Sequence, residues 1–278
     1  MKKMHQIHPP IGSPVIAEFA AAGVKVPDRY GSGVFQIADD SPSWPAVRDV
    51  IAKHDGDRRL RHYAFVDFDS TDCERAAWLG IDAWAHGYPQ PENDFGYLST
   101  TYDLTNYCSR CGTGLTQRAA FRMKSEPKWG KRQLMHLEWV NDELFTTPDL
   151  AERLEPLGLI FREVRTRKDA LLSNVVQVVV KDQISLDLNG VPASVCPACQ
   201  RPKYSPARFD GVPPAAESST SPIVKSTEWF GSGANAFKQV LISQRLYQAL
   251  RHLPAVKFRP AIRTGLLSDL ERYPLDSR

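Results

Sequence analysis

The sequence predicts an α+β protein, mostly antiparallel sheet with a few short helices and a zinc-ribbon-like four-cysteine site that carries a long insertion. Three observations lead there. Period-two apolar alternation recurs between residues 133 and 189 without the βα alternation of a parallel sheet. The helical patterns are short and each has its own start signal. Four cysteines fall into two pairs of identical spacing, Cys108-Ser-Arg-Cys111 and Cys196-Pro-Ala-Cys199.

Residues 1–45 carry Pro9, Pro10, Pro14, Pro27, Pro42 and Pro45 with Gly12, Gly23, Gly31 and Gly33, and read as irregular or short-stranded. Trp44 to Ala52 has apolar residues at i, i+3 and i+4, an amphipathic helix that ends before Asp55-Gly56-Asp57. Tyr63 to Phe68 reads as a strand. Thr71-Asp72-Cys73-Glu74 has the form of a capping box, which predicts a helix through Ala76, Ala77 and Leu79 to about Ala85, ended by Gly87 to Pro91.

Gln133 to Val140 puts Met135, Leu137 and Trp139 on one face of a strand, and Ile160 to Val164 and Asn174 to Val180 are further strands. Ile184, Leu186 and Leu188 alternate with polar residues. Thr147-Pro148 is an N-cap followed by a first-turn proline, so a short helix runs from there to Pro156. Residues 200–227, with five prolines among Ser and Thr, read as a long loop. Lys238 to Ile242 is a strand, Ser243 caps a helix with Leu246, Tyr247 and Leu250 inward, and Val256 to Pro260 returns as an edge strand, where proline is tolerated. The expected organisation is an N-terminal α+β region, 1–98, and a zinc-ribbon-containing α+β domain, 99–278, with insertion 113–195 and Pro-rich loop 200–227.

The 278 residues are 42% hydrophobic and 24% charged, enough for a sizeable core. Lys and Arg number 35 against 32 Asp and Glu, a net charge of +3, which argues against a dedicated, strongly cationic nucleic-acid binder. Apolar runs fall short of the roughly 20 residues of a membrane helix. Met1-Lys2-Lys3 is followed by no apolar stretch, so a cytoplasmic location and no membrane partner are expected.

In a reducing compartment paired cysteines read as metal ligands. Two intervening residues make a turn tight enough to aim both sulfurs at one ion, and two such turns complete a tetrahedron. Cys108, Cys111, Cys196 and Cys199 are therefore the expected ligands of one structural Zn²⁺, closed to substrate and water. Gly112 suits a turn that needs positive φ, and Gln200 stands at the equivalent place in the second pair. A redox dithiol is the competing reading of either pair. Cys73 is left over and reads as a small buried apolar residue.

Phe65-Val66-Asp67-Phe68-Asp69-Ser70-Thr71 resembles the DxD motif of haloacid-dehalogenase-type phosphatases, in which Asp67 would be nucleophile and Asp69 general acid/base. The following chain lacks the βα series of that family, and a strand end with Asp69 or Thr71 capping the next helix accounts for the same residues. The seven histidines show no HxxxH or HExxH spacing; His136 or His86 could replace a missing cysteine. No residue set supports catalysis, and a non-enzyme is expected.

Arg110, Arg118, Arg122, Lys124, Lys128, Lys131 and Arg132 cluster at and after the first pair, with Phe121 and Trp129 interleaved. That pattern allows a nucleic-acid-binding zinc ribbon, but a solvated hairpin with snorkelling side chains is the favoured reading, because acidic stretches such as Glu138 to Asp149 follow closely.

The CxxCG knuckle, the long folded insertion, the second CxxC, then Ser226 to Gly233 and the strand–Ser–helix–strand ending from Val240 to Pro260 together resemble bacterial double-CxxCG proteins and related immunity proteins of contact-dependent toxin systems, over about residues 100–262. This sequence departs from that pattern where Gln200 replaces the second glycine. The resemblance implies a non-catalytic protein that binds and neutralises a cognate toxin. Such binding needs rigid anchors, for which Trp78, Trp84, Tyr88, Phe95 and Tyr97 are candidates, each also explained by core packing.

Overall fold

The computed structural model describes residues 1–10, 13–27, 33–54, 59–86, 98–138, 140–206 and 210–268. The chain forms two compact units. One comprises Met1–Asp72 with the described parts of Ala207–Gly211 and Arg263–Arg278; the other comprises Cys73–Pro206 and Val212–Ile262.

The first unit runs β1 (Lys2–His8), α1 (Val15–Ala21), β2 (Phe35–Ala38), α2 (Trp44–Lys53) and β3 (Arg61–Asp67), and α3 (Ser70–Arg75) follows. β1 is the central strand of an antiparallel sheet, pairing Met4 with Ala38 on one side and Phe65 on the other. Phe19 of α1 and Trp44 and Val47 of α2 close over Ile7 and Phe35. The helix over 44–52 is present as expected. Residues 1–45, read as irregular or short-stranded, hold the strands β1 and β2 and, beyond that reading, the helix α1. The strand signal of β1 is weak because one of its inward positions is a histidine. His5 is buried because one ring nitrogen lies 2.9 Å from Asp39 Oδ1, the other lies 3.0 Å from His62 Nε2, and the ring stacks on Trp44 at 3.6 Å.

α3 starts one residue after Asp69, not after Thr71. Asp69 Oδ1 accepts from the Asp72 N–H at 2.9 Å while Asp72 Oδ2 accepts from the Asp69 N–H at 3.0 Å, a reciprocal box two residues earlier than Thr71 to Glu74. The helix also stops at Arg75 instead of continuing to Ala85.

The second unit continues through β4 (Trp78–Asp82), β5 (Trp84–His86), α4 (Leu98–Thr101), β6 (Tyr102–Asp103), β7 (Thr116–Gln117), β8 (Arg122–Met123), β9 (Leu134–Leu137), β10 (Val140–Thr146) and α5 (Pro148–Leu154). It ends with β11 (Ile160–Thr166), β12 (Leu171–Val179), β13 (Gln183–Ile184), β14 (Ala193–Val195), β15 (Pro202–Tyr204), β16 (Ile223–Ser226), β17 (Val240–Ser243), α6 (Gln244–Leu250) and β18 (Lys257–Pro260). One sheet has the order β5-β9-β10-β12-β11-β8 and another β13-β16-β17-β4-β18. The pairs β5 with β9, β8 with β11 and β13 with β16 are parallel; the others are antiparallel. The protein is α+β and mostly antiparallel, and its helices are short.

Thr147 and Ser243 act as the expected N-caps, their hydroxyls accepting from the N–H groups of Leu150 and Leu246. The helices they start put Leu150 and Leu154 of α5, and Leu246 and Leu250 of α6, into one core with Leu79, Leu134, Leu144, Val178 and Ile242. Each such leucine contributes about 1.5–3 kcal/mol on burial. Cys73 is buried in this core, as the apolar reading requires.

Three expectations in this unit are corrected. Residues 78–82, expected as helix, are the strand between β17 and β18, where Gly80 lets the Val212 side chain approach; a Cβ there would lie 2.4 Å from Val212 Cγ2. The single strand over 133–140 is a hairpin, with Leu137 of β9 opposite Val140 of β10; Trp139 lies outside the described residues. The loop over 200–227 contains β15 and β16. β4 and β5 enter sheets of the second unit, and the two compact units divide after Asp72.

Candidate metal centre

Each cysteine pair stands at the end of a short antiparallel ladder. Cys108 and Cys111 lie between β6 and β7, which pair Asp103 with Thr116; Cys196 and Cys199 lie between β14 and β15, which pair Val195 with Pro202. The two turns repeat the same hydrogen bonds. The Cys108 N–H donates to Thr113 O at 2.9 Å and the Gly112 N–H to Cys108 O at 2.8 Å. The Cys196 N–H donates to Arg201 O at 3.1 Å and the Gln200 N–H to Cys196 O at 2.8 Å. Gly112 has φ +80° and Gln200 φ +59°, so the left-handed residue each turn needs is glycine in one and glutamine in the other. Gln200 Nε2 donates to Pro197 O at 3.1 Å.

The insertion brings the turns together. Cys108 Sγ lies 3.9 Å from Cys196 Sγ, Cys111 Sγ lies 3.6 Å from Cys199 Sγ, and all four sulfurs fall within 4.8 Å of one another. A tetrahedron of thiolates with bonds of about 2.3 Å has edges of about 3.8 Å, so the spacing suits one central ion. It is far beyond a disulfide bond of about 2.05 Å, and all five cysteines are free. Cys111 and Cys196 are buried, Cys108 and Cys199 half-buried. The four cysteines can therefore hold a metal ion, and four protein donors would leave it no open position.

The surroundings favour thiolate unequally. Burial pushes the Cys111 thiol up, but the Thr113 hydroxyl 3.1 Å away, the Thr113 N–H and the sulfurs of Cys199 and Cys108 outweigh it and bring it to about 6. The N–H groups of Cys199 and Ala198 lower the Cys196 thiol. At Cys108 the N–H groups of Cys111 and Arg110 pull down, but burial and the neighbouring sulfurs raise it.

Three residues that spacing did not single out tie the turns together. Arg201 Nη1 donates to Asn106 O at 2.6 Å and to Thr113 O and Oγ1 at 3.3 Å each. Lys203, 5% exposed, donates from Nζ to Cys111 O at 2.9 Å, Gly233 O at 2.6 Å and Asn235 O at 3.1 Å. Thr113 is fully buried between the sulfurs of Cys111 and Cys199. A lysine flanked by Pro202 and Tyr204 carries no pattern that would announce this role.

The basic cluster is placed differently from a stacking platform. Arg110, Arg118, Lys124, Lys128 and Lys131 are exposed, but Arg122 pairs with Asp169 at 2.9 Å and Arg132 lies over the Trp84 ring at 4.1 Å. Phe121 and Trp129 are buried in the core beneath the six-stranded sheet and offer no face to a base. Asp69 is occupied as a helix cap, while Asp67 ends β3. His136 faces Asp82 at 3.5 Å, and neither it nor His86 joins the cysteine cluster. Of the proposed anchors, Trp78 is buried and Trp84 packs against the core; Tyr88, Phe95 and Tyr97 lie outside the described residues. Among the described residues no helix is long and apolar enough to cross a membrane.

No protein-family model matches the chain, and no curated protein matches it.

Proposed function

We propose that the chain is a non-catalytic zinc protein of the cytoplasm in which Cys108, Cys111, Cys196 and Cys199 hold one structural Zn²⁺, and that it acts by binding a protein partner, in the manner of the toxin-neutralising immunity proteins it resembles. The observation that carries the metal reading is the four-sulfur cluster, all within 4.8 Å of one another with pairs at 3.6 Å and 3.9 Å. Sulfur donors without a carboxylate or an open position suit zinc in a structural role. The partner reading is supported by exposed apolar residues beside each turn, Leu104 after β6 and Val195 immediately before Cys196.

Elemental analysis of the purified chain should give one zinc per molecule, and Cys111→Ser should lower both zinc content and melting temperature. Unchanged zinc and an unchanged melting curve would refute the metal site. For the partner, contact-dependent toxin domains encoded by genes neighbouring this one should be screened, and one of them should bind the protein and be neutralised by it in a growth assay. Absence of both binding and protection, or tight salt-dependent binding of oligonucleotides instead, would overturn the immunity reading.

A further inference from the structure

The second unit contains a cavity of about 580 Å³ that the metal centre does not use. Arg162 stands opposite Gln177 in the β11–β12 ladder, and Gln177 stands opposite Phe145 of β10, two residues after Glu143. Arg162 and Gln177 therefore share one face of the sheet, and the hydrogen bond from Gln177 Nε2 to Glu143 Oε2 at 2.8 Å brings Glu143 beside them. Arg162, Lys181, Arg201, Lys225 and Lys238 line the cavity against only two carboxylates, Asp142 and Glu143, a net charge of three positive.

The carboxylates are already engaged. Glu143 accepts from Lys225 Nζ at 2.6 Å and from Gln177 Nε2 at 2.8 Å; Asp142 accepts the Lys238 backbone N–H at 3.0 Å. Arg201 meets carbonyls and Thr113, and the Lys238 ammonium meets the neutral Gln183 Oε1 at 2.6 Å, so neither charge is neutralised by its partner. Arg162 Nη1 is buried and has no hydrogen-bond partner. A buried charged donor without an acceptor is an unfavourable state that a ligand oxygen would relieve.

We propose that this cavity binds a small phosphate-bearing molecule whose phosphate oxygens accept from Arg162, with Lys181 and Lys238 completing the charge balance. A phosphate ester carries roughly −1.5 to −2 at pH 7, a better match to the cavity than a single carboxylate. Guanidinium forks suit its geometry. The volume lies within the roughly 300–1,000 Å³ of small-molecule sites, so the ligand is larger than the phosphate group alone, and the Trp229 ring, over which Lys238 Nζ lies at 5.2 Å, lines the same cavity.

Titration calorimetry on the full metal-loaded chain at low salt, with AMP, inorganic phosphate and tricarballylate as probes, tests this. AMP should bind saturably at one site and more tightly than tricarballylate. Arg162→Met should weaken AMP about tenfold or more, as loss of a charge-assisted pair does, and the exposed Lys181→Gln, which leaves the fold untouched, about twofold to threefold. Arg48→Met, the same charge loss on α2 of the first unit, should leave binding unchanged. No saturable heat with AMP at millimolar concentration, equal loss in Arg48→Met and Lys181→Gln, or tighter tricarballylate binding would each overturn the proposal.

Discussion

Lys203 Nζ donates to the carbonyl of Cys111 across 92 positions of sequence, so the second cysteine hairpin holds the first by a buried ammonium as well as through sulfur. The same nitrogen reaches the carbonyls of Gly233 and Asn235. Replacing it by methionine fills the volume but leaves three carbonyls short of a donor. Lys203→Met should therefore lower stability by about 2–3 kcal/mol in urea unfolding and hasten loss of metal to a chelator. The exposed Lys128→Met should change neither, and a Lys203 variant with wild-type stability and metal retention would show the staple to be idle.

The two turns have the same hydrogen bonds but different tolerance. At Gly112 a Cβ would lie 2.2 Å from Ala234 O, and φ is +80°, so Gly112→Ala meets both a clash with backbone and a strained conformation. A loss of about 3 kcal/mol or more is expected. Gln200 already occupies the left-handed region. Gln200→Gly relieves that strain, about 1 kcal/mol, but gives up the bond to Pro197 O and adds freedom to the unfolded chain. Its melting temperature should stay within a few degrees of the parent or rise. A large loss would show that the Gln200 side chain, not its backbone, shapes the second knuckle.

What was legible in the sequence divides by the range of the interaction that decides it. Thr147 and Ser243 cap helices through hydroxyls that act three residues away, and those helices were expected where they occur. The cysteine pairs were legible because two residues of spacing contain the turn. β1 was legible only as a short strand somewhere in residues 1–45, because the partners that make His5 acceptable inside are Asp39 and His62, far along the chain. β4 was lost for a related reason: Ala76 and Ala77 extend the helical pattern past Arg75, and only the flanking strands β17 and β18 turn Trp78–Asp82 into sheet. Lys203 and Arg201 were invisible because what they bind is backbone, which has no sequence signature.

Glu143 and Lys225 form a buried pair at 2.6 Å. Burial pushes the Glu143 carboxyl up, only partly offset by the Lys225 charge, whereas for Lys225 the facing carboxylates outweigh burial and hold the ammonium above its usual value. Removing one partner strands the other. Lys225→Met should cost about 3–5 kcal/mol, while the double variant Glu143→Gln with Lys225→Met should recover most of that loss. Denaturation of the three proteins at pH 7 measures the coupling; additive losses would mean that the two groups act independently.

His136 on β9 and Asp82 at the end of β4 predict how stability follows pH. Burial alone would lower the histidine, but Asp82 at 3.5 Å and the carbonyl of Leu137 raise it above 6.5. The same contact with His136 holds the Asp82 carboxyl below 3.8. A group whose folded pKa is raised stabilises fully below its unfolded value and loses that contribution as pH climbs through the folded one; a lowered carboxyl does the reverse on the acid side. The pair therefore stabilises most between about pH 4.5 and 6.5 and weakens as the histidine deprotonates. Because Asp82 is half-exposed, the effect is about 0.5–1 kcal/mol. His136→Gln should flatten the stability difference between pH 6 and pH 8.5 by that amount, read as urea midpoints, and Asp82→Asn should do the same. A parent protein more stable at pH 8.5 than its His136→Gln variant by the same margin as at pH 6 would rule out the ion pair as the source.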